Sequence, residues 1–405
     1  MNKLTDTRNV TKITYLFMIT YMVSYITRIN YGAVISEMVE ATSMSKSALS
    51  LALTGSFATY GAGQIISGIC GDRFRPKKLV LYGLIATSLM NVIIPFCQSP
   101  ILMLVVWSIN GFAQAFMWPP MVKLMSDLFS LEEYQKACVI IARGSSFGTI
   151  IIYLISPVLI ALSGWKTVFG FSALCGIVMI YFWNRLCPDI NDTKTEPAKI
   201  NRGQHGKGLS LFSPLMLSIM LAIILQGTLR DGVTTWMPSY ISETYHLGSE
   251  ISILTGVVLP VFSMICYQVA SFLYKNKFCN PLSCAGVIFA AGTISALALY
   301  FLSDANAAFS VLFSAMLTGC MHGVNLMLVS ILPRFFSKYG NVSTVSGVLN
   351  ACTYIGSALS TYGIAVISEN RGWHFTILLW VVIAALGTVV CLLCVKPWKK
   401  SGIAE

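Results

Sequence analysis

The chain has 405 residues, of which 56% are hydrophobic and only 11% charged, and its mean hydropathy is +0.73. Soluble domains carry roughly 25% charged residues, so this chain has too little polar surface to cover a water-exposed globule. It reads as an integral membrane protein, and its net charge of +11 has to be explained by where the charges fall before a nucleic-acid partner is entertained.

Apolar segments follow one another at about 13–39, 48–71, 78–98, 101–126, 135–162, 166–187, 212–242, 251–274, 282–302, 307–333, 343–368 and 373–396. Each reaches the ~20 residues that a spanning helix needs. The expected fold is an all-α membrane protein with twelve transmembrane helices and both termini on one side. With the amino terminus inside, the inner connections hold twenty Lys and Arg residues, against Lys46, Lys166 and Arg371 outside. That bias predicts cytoplasmic termini in a multi-pass protein of the cell membrane. The basic balance is therefore topological, and no nucleic-acid partner is expected. The first apolar run is too long for a signal-peptide core and no A-x-A site follows it, so no cleaved leader is expected.

In chain order, the first unusual stretch is Tyr25-Ile-Thr-Arg28-Ile-Asn30-Tyr31, which sets a full charge within the first span. An arginine at mid-bilayer costs roughly 2.5–3.5 kcal/mol on insertion scales, so it is kept for a function. Between spans 2 and 3 lies Gly68-Ile-Cys-Gly-Asp72-Arg73-Phe-Arg75-Pro-Lys77-Lys78. Its glycine allows close helix approach, while Asp72 and Arg73 can pair with a neighbouring helix end and latch one conformation. Span 4 contains Trp118-Pro-Pro-Met-Val-Lys123 and span 5 contains Arg143. Lys123 either snorkels or serves the gate; Arg143 either snorkels or extends the charge of a cavity. Residues 188–210 are polar and divide the chain into bundles 1–187 and 211–405. In span 7, Gly227-Thr-Leu-Arg230-Asp231-Gly-Val repeats the buried charge of span 1. Gly319-Cys-Met-His-Gly-Val-Asn in span 10 likewise answers Gly111-Phe-Ala-Gln-Ala-Phe-Met-Trp-Pro-Pro in span 4. Two pseudo-symmetric six-helix bundles, the major facilitator plan, are expected.

Two arginines at matching depth suit one anion, since each offers a planar fork of donors and stays charged. Glu37 is nine residues beyond Arg28, too far to neutralise it. Asp231 adjoins Arg230, but neighbours on a helix point about 100° apart, so neither arginine is expected to have an internal partner. Tyr31, Gln64, Trp118 and Trp236 are further cavity candidates. The chain lacks a G-x-x-x-x-G-K-S/T loop, a catalytic triad and a metal cluster, and its four histidines are far apart. The twelve cysteines form no disulfide framework, and Cys391 and Cys394 read as packing residues in an apolar helix. A monomeric secondary transporter is expected, not an enzyme, with no cofactor and no metal.

Across almost its whole length the chain resembles the organophosphate/inorganic phosphate antiporters of the major facilitator superfamily. Tyr25-Ile-Thr-Arg28-Ile-Asn30-Tyr31 is similar to their Y-x-x-R-K-N-F motif. Tyr60-Gly-Ala-Gly-Gln64…Gly68…Gly71-Asp72-Arg73 is similar to Y-G-x-x-K…G…S-D-R, and Trp118-Pro-Pro-Met-Val-Lys123 to W-P-P-x-x-R. Arg230-Asp-Gly-Val-Thr-Thr-Trp236-Met-Pro238-Ser-Tyr240 matches R-Y-G-V-x-D-W-x-P-x-Y at six of eleven positions. The resemblance implies that Arg28 and Arg230 hold a phosphate. Ile29 and Gln64 replace lysines of the family, Ser145 aligns with a histidine, Thr235 with an aspartate, and Asp231 stands where tyrosine is usual.

The expected function is alternating-access transport of a small anionic, phosphorylated metabolite, of the glycerol phosphate or sugar phosphate type, in exchange for inorganic phosphate. Exchange would be obligatory, because an empty cavity would keep two unpaired charges. The alternatives are proton-coupled transport of another organic anion, with Asp231 as proton carrier, and a transporter-like sugar-phosphate sensor.

Overall fold

The computed structural model describes residues 7–42, 44, 46–188, 213–246, 249–303 and 306–401, almost all of them helical. Of the expected linker only Pro188 falls among them; 189–210 lies outside the described residues. The first half consists of α1 (Thr7–Ala33), α2 (Ile35–Thr42), α3 (Lys46–Arg73), α4 (Pro76–Ile93), α5 (Pro100–Gln114), α6 (Trp118–Leu128), α7 (Leu131–Ser163) and α8 (Lys166–Leu186). The second half consists of α9 (Pro214–Tyr245), α10 (Ser249–Leu273), α11 (Pro281–Leu302), α12 (Ala307–Asn325) and α13 (Val342–Lys400). A π-helical turn Leu326–Ile331 and a 3₁₀ segment Leu332–Tyr339 continue α12.

Local chemistry sets the helix boundaries. α4, α5, α9 and α11 each begin on a proline, whose missing N–H costs nothing in the first turn. Ser99, Ser213 and Asn280 cap the last three of these through their side-chain oxygens. Ser130 and Glu133 form a reciprocal capping box at the start of α7. Some expected spans differ in detail. The fourth is broken into α5 and α6 where Pro119 and Pro120 remove backbone donors. The last two run together as α13, which turns at Gly372, whose φ of 77° favours a residue without Cβ.

Among the described residues, nine helical stretches are long and apolar enough to cross a membrane. The other three expected spans correspond to α1, α3 and the part of α13 before Asn370. Of these more polar helices, α3 and the first part of α13 pack against each other across the halves, and α1 packs on α7 and α8.

In the first half α1 packs on α7 and α8, α4 on α5 and α8, and α3 on α5; in the second, α13 packs on α9 and α11, and α12 on α9, α10 and α11. A buried, hydrogen-bonded polar network stiffens the first half. The Asn30 amide donates to Asn91 Oδ1 (2.7 Å) and Ser172 Oγ (2.9 Å). Gln114 donates to both Thr27 and Thr87 at 2.8 Å. All six residues are at most 1% exposed, so the network rigidifies the packing of α1, α4, α5 and α8. Asn30 is thereby committed to structure. Cys391 and Cys394 are buried in the apolar core of the second half.

The halves meet along α3–α13, α7–α10 and α6–α13. A Cβ on Gly68 would come within 2.8 Å of the Ser343 carbonyl oxygen, so glycine is what admits α13 against α3. These contacts concentrate at the face where α1 begins and α13 ends, called here the terminal face.

Candidate functional site

Two reciprocal contacts close the terminal face. Asp72, at the end of α3, accepts the N–H groups of Ser343 (2.9 Å) and Thr344 (2.6 Å), the free donors at the start of α13. A carboxylate there satisfies orphan amides and complements the positive end of the helix dipole. In the opposite sense, Arg334 of the second half donates to Ser126 and to the Phe129 carbonyl, at the negative end of α6. Arg334, one of the twenty inner-side Lys and Arg residues, is 7% exposed and bridges the halves. Beside it the Tyr134 hydroxyl donates to the Ser330 carbonyl at 2.5 Å. Each latch sets a side chain of one half against a helix end of the other. Arg73 is exposed and joins neither. Lys123 pairs within its own helix with Asp127 at 3.0 Å, one-fifth exposed.

Above the latches, toward the opposite face, a cavity of about 30 Å³ lies between the halves. That volume holds about two waters, so a larger ligand requires the halves to part. Its first-half wall includes Tyr21, Tyr25, Trp118 and Ser145; its second-half wall includes Arg230, Tyr267, His322, Asn325, Asn350 and Tyr354. Trp118 stacks on Tyr21 with ring centres 5.0 Å apart, and the Tyr267 hydroxyl lies 3.0 Å from His322 Nδ1. Two lining donors, Trp118 Nε1 and Asn325 Nδ2, are buried without a hydrogen-bond acceptor.

Of the two arginines, only Arg230 lines the cavity. Arg28 stands one layer back, 4.3 Å above the Tyr25 ring and 4.8 Å above Tyr60. Among the described residues no carboxylate lies within 4.0 Å of it; aromatic faces supply its negative potential. Tyr25 and Tyr354 line the cavity with Arg230; Arg28 lies over the Tyr25 ring and over Tyr60, on which Tyr354 packs, so the two charges surround one space. Arg230 is different. Its Nε donates to Asp231 Oδ1 (2.6 Å) and its Nη2 to Oδ2 (2.8 Å), and the Ser357 hydroxyl donates to the same carboxylate. The expectation that helix geometry keeps Arg230 and Asp231 apart is therefore wrong. The 100° between them applies at Cβ, and the long arginine side chain folds back across it.

The remaining candidates divide. Gln64 is buried, receives a hydrogen bond from Asn350 at 2.9 Å and so bridges α3 to α13 between cavity and latch. Tyr31 is not brought to the cavity: it packs between Trp107 and Phe169 and donates to the Leu49 carbonyl. Trp236 is half-buried and packs against the second-half core, outside the cavity lining. Arg143 is also half-buried, its Nε without an acceptor, while its neighbours Ala142 and Ser145 line the cavity. Sequence reading missed Tyr267, His322, Asn325, Asn350 and Tyr354. The signal for two of them was present, since Gly319–Asn325 was the segment that repeated span 4.

Two helical halves enclose a polar cavity closed at one end by reciprocal helix-end latches, and the sequence matches the profile of the Major Facilitator Superfamily over residues 17–361. The chain belongs to the major facilitator superfamily. It is 24% identical over 395 residues to the "Membrane sensor protein UhpC" of Salmonella typhimurium, covering 92% of this chain and 88% of that protein. It is 22% identical over 423 residues to the "Probable hexose phosphate transport protein" of Chlamydia muridarum, covering 96% and 91%. Among solved structures, the proton:xylose symporter XylE bound to 6-bromo-6-deoxy-D-glucose superposes with a TM-score of 0.79 at 12% identity, over 95% of each chain. At that identity the likeness concerns the fold alone.

Proposed function

We propose that the protein transports a small phosphorylated metabolite, of the glycerol phosphate or sugar phosphate kind, by alternating access. Inorganic phosphate would occupy the same site in exchange. The terminal face would be cytoplasmic, in the cell membrane, with a monomer as the working unit. Bundles 1–187 and 211–405 would rock about the cavity, joined by 188–210.

The observation that carries this reading is the excess of donors around one small space. Arg230, Trp118 Nε1 and Asn325 Nδ2 line the cavity, and Arg28 stands behind Tyr25. A phosphate offers acceptors on all sides and a charge suited to forked guanidinium contacts. In this reading Arg230 binds the anion directly. Arg28 supplies long-range attraction across Tyr25 and closes on the anion as the halves approach. Drawing the walls together would strain the interhalf contacts of Asp72 and Arg334, opening the terminal face. The relative named a hexose phosphate transport protein is consistent with such a ligand.

Two other readings have specific support. The relative named a membrane sensor protein favours a ligand sensor without flux. The Asp231 carboxylate beside the cavity favours proton coupling.

Transport into proteoliposomes distinguishes the three. Phosphate-loaded vesicles should accumulate radiolabelled glycerol 3-phosphate or hexose 6-phosphate. Arg28→Lys should reduce that uptake at least about tenfold, since lysine forfeits both the planar fork and the stacking. Tight binding with no flux would establish the sensor, and uptake that collapses with a protonophore would establish proton coupling.

A further inference from the structure

The arginine pair is usually a strong reason for obligatory exchange, because an empty site holding two bare charges resists crossing between states. This chain departs from that condition at one residue. Arg230 already holds an anion, the carboxylate of Asp231, through two donors on one edge of its guanidinium. That edge is one of those through which a guanidinium takes a phosphate or carboxylate in forked geometry.

We infer that Asp231 is an internal substitute ligand: it competes with the transported anion for Arg230, and it lets the unloaded protein switch states without a counter-anion. The inference rests on the phosphorylated-anion reading of the cavity and adds how its flux is coupled.

Three observations support it. The geometry at Arg230 is bidentate, so the contact saturates the fork on that side. Asp231 has a second partner, the Ser357 hydroxyl of α13, which can keep hold of the carboxylate when a ligand displaces it from Arg230. The charge balance is also changed. Arg28, Arg230 and Asp231 together carry +1, where the two arginines alone would carry +2. The cost of moving charge through a low-dielectric barrier rises steeply with its magnitude, so the empty site crosses more readily. Asp231 is also faced by His322, and Arg230 by Tyr25 and Tyr354. Exchange is then permitted, but not required.

The test uses the full-length protein and radiolabelled inorganic phosphate. Proteoliposomes with phosphate on both sides report exchange; the same vesicles diluted into phosphate-free buffer, with the membrane potential clamped, report net efflux. In the natural protein net efflux should run within about tenfold of exchange. In Asp231→Asn, the ratio of net efflux to exchange should fall at least about tenfold, and equilibrium binding of phosphate should tighten by about tenfold. An unchanged ratio, or weaker phosphate binding, overturns the inference. Exchange without measurable net efflux in the natural protein overturns it as well, with no variant needed. If neither phosphate, glycerol 3-phosphate nor hexose 6-phosphate exchanges at all, the functional reading itself has failed, which is a separate result.

Discussion

The two halves solve the same problem, a cation inside an apolar bundle, in different ways. In the first half Arg28 is stabilised by rings: Tyr25 and Tyr60 present their faces, and no acid comes within ion-pair distance among the described residues. In the second half Arg230 is stabilised by charge, through a forked contact with Asp231. Aromatic stabilisation is worth about 0.5–2 kcal/mol and leaves the cation's full charge available to a ligand. An ion pair neutralises the cation and must be broken or bypassed before a ligand can use it. Arg28 is therefore held ready, and Arg230 is held in reserve.

That difference predicts the largest contrast between substitutions. Arg230→Gln should abolish transport and also strand Asp231 beside the cavity without its partner. Breaking a fully buried pair costs about 3–5 kcal/mol. The Asp231 side chain is 31% exposed, so a loss nearer about 2 kcal/mol is expected here. Adding Asp231→Asn to Arg230→Gln should recover most of that stability and none of the transport. Arg28→Gln should abolish transport with little loss of stability, because it strands no charge. Thermal unfolding of the four purified proteins, followed in parallel with uptake, measures the contrast. Equal destabilisation by the two arginine substitutions would remove the distinction drawn between the halves.

A second contrast lies at the terminal face, where the polarity of the contacts is reversed. Asp72 of the first half holds the positive end of α13, and Arg334 of the second half holds the negative end of α6. A charge at a helix end contributes roughly 0.3–2 kcal/mol, and a hydrogen bond to a charged group about 1.5–3 kcal/mol. Asp72→Asn keeps one acceptor and loses the charge. It should cost about 1.4 kcal/mol and raise amide hydrogen exchange at Ser343 and Thr344 about tenfold. Arg334→Lys retains its charge and can still reach one carbonyl, so its effect on the same amides should be smaller. The reverse order would mean that the arginine, not the aspartate, is the principal fastening.

Much of this arrangement is legible in the sequence, and for a common physical reason. Buried charge is so costly that Arg28 and Arg230 announce themselves inside apolar runs. Gly68 and Asp72 are likewise readable, because close helix approach and a carboxylate at a helix end each demand a particular residue. What was not legible is the choice of partner. The pairing of Arg230 with Asp231 depends on how a long side chain folds back, which spacing along a helix does not determine. Arg334 looks like any loop arginine until the fold brings the end of α6 to it. Tyr31 lies three residues from Arg28 and suggested a shared role. One turn farther along the helix the surroundings are Trp107 and Phe169, and its hydroxyl is spent on a carbonyl of α3.

The smallest expected effect bears on the first-half wall, where the anion would find neutral donors in place of a paired arginine. Trp118 stacks on Tyr21 and its Nε1–H reaches no acceptor. A buried donor left unmatched costs about 1–3 kcal/mol. Trp118→Phe keeps an aromatic face on Tyr21 and removes the N–H. If that donor serves the transported anion, the substitution should leave thermal stability unchanged or slightly higher. The apparent affinity for phosphate should weaken about three- to tenfold, equivalent to one hydrogen bond of about 0.7–1.4 kcal/mol. Higher stability with unchanged affinity would make Trp118 a packing residue.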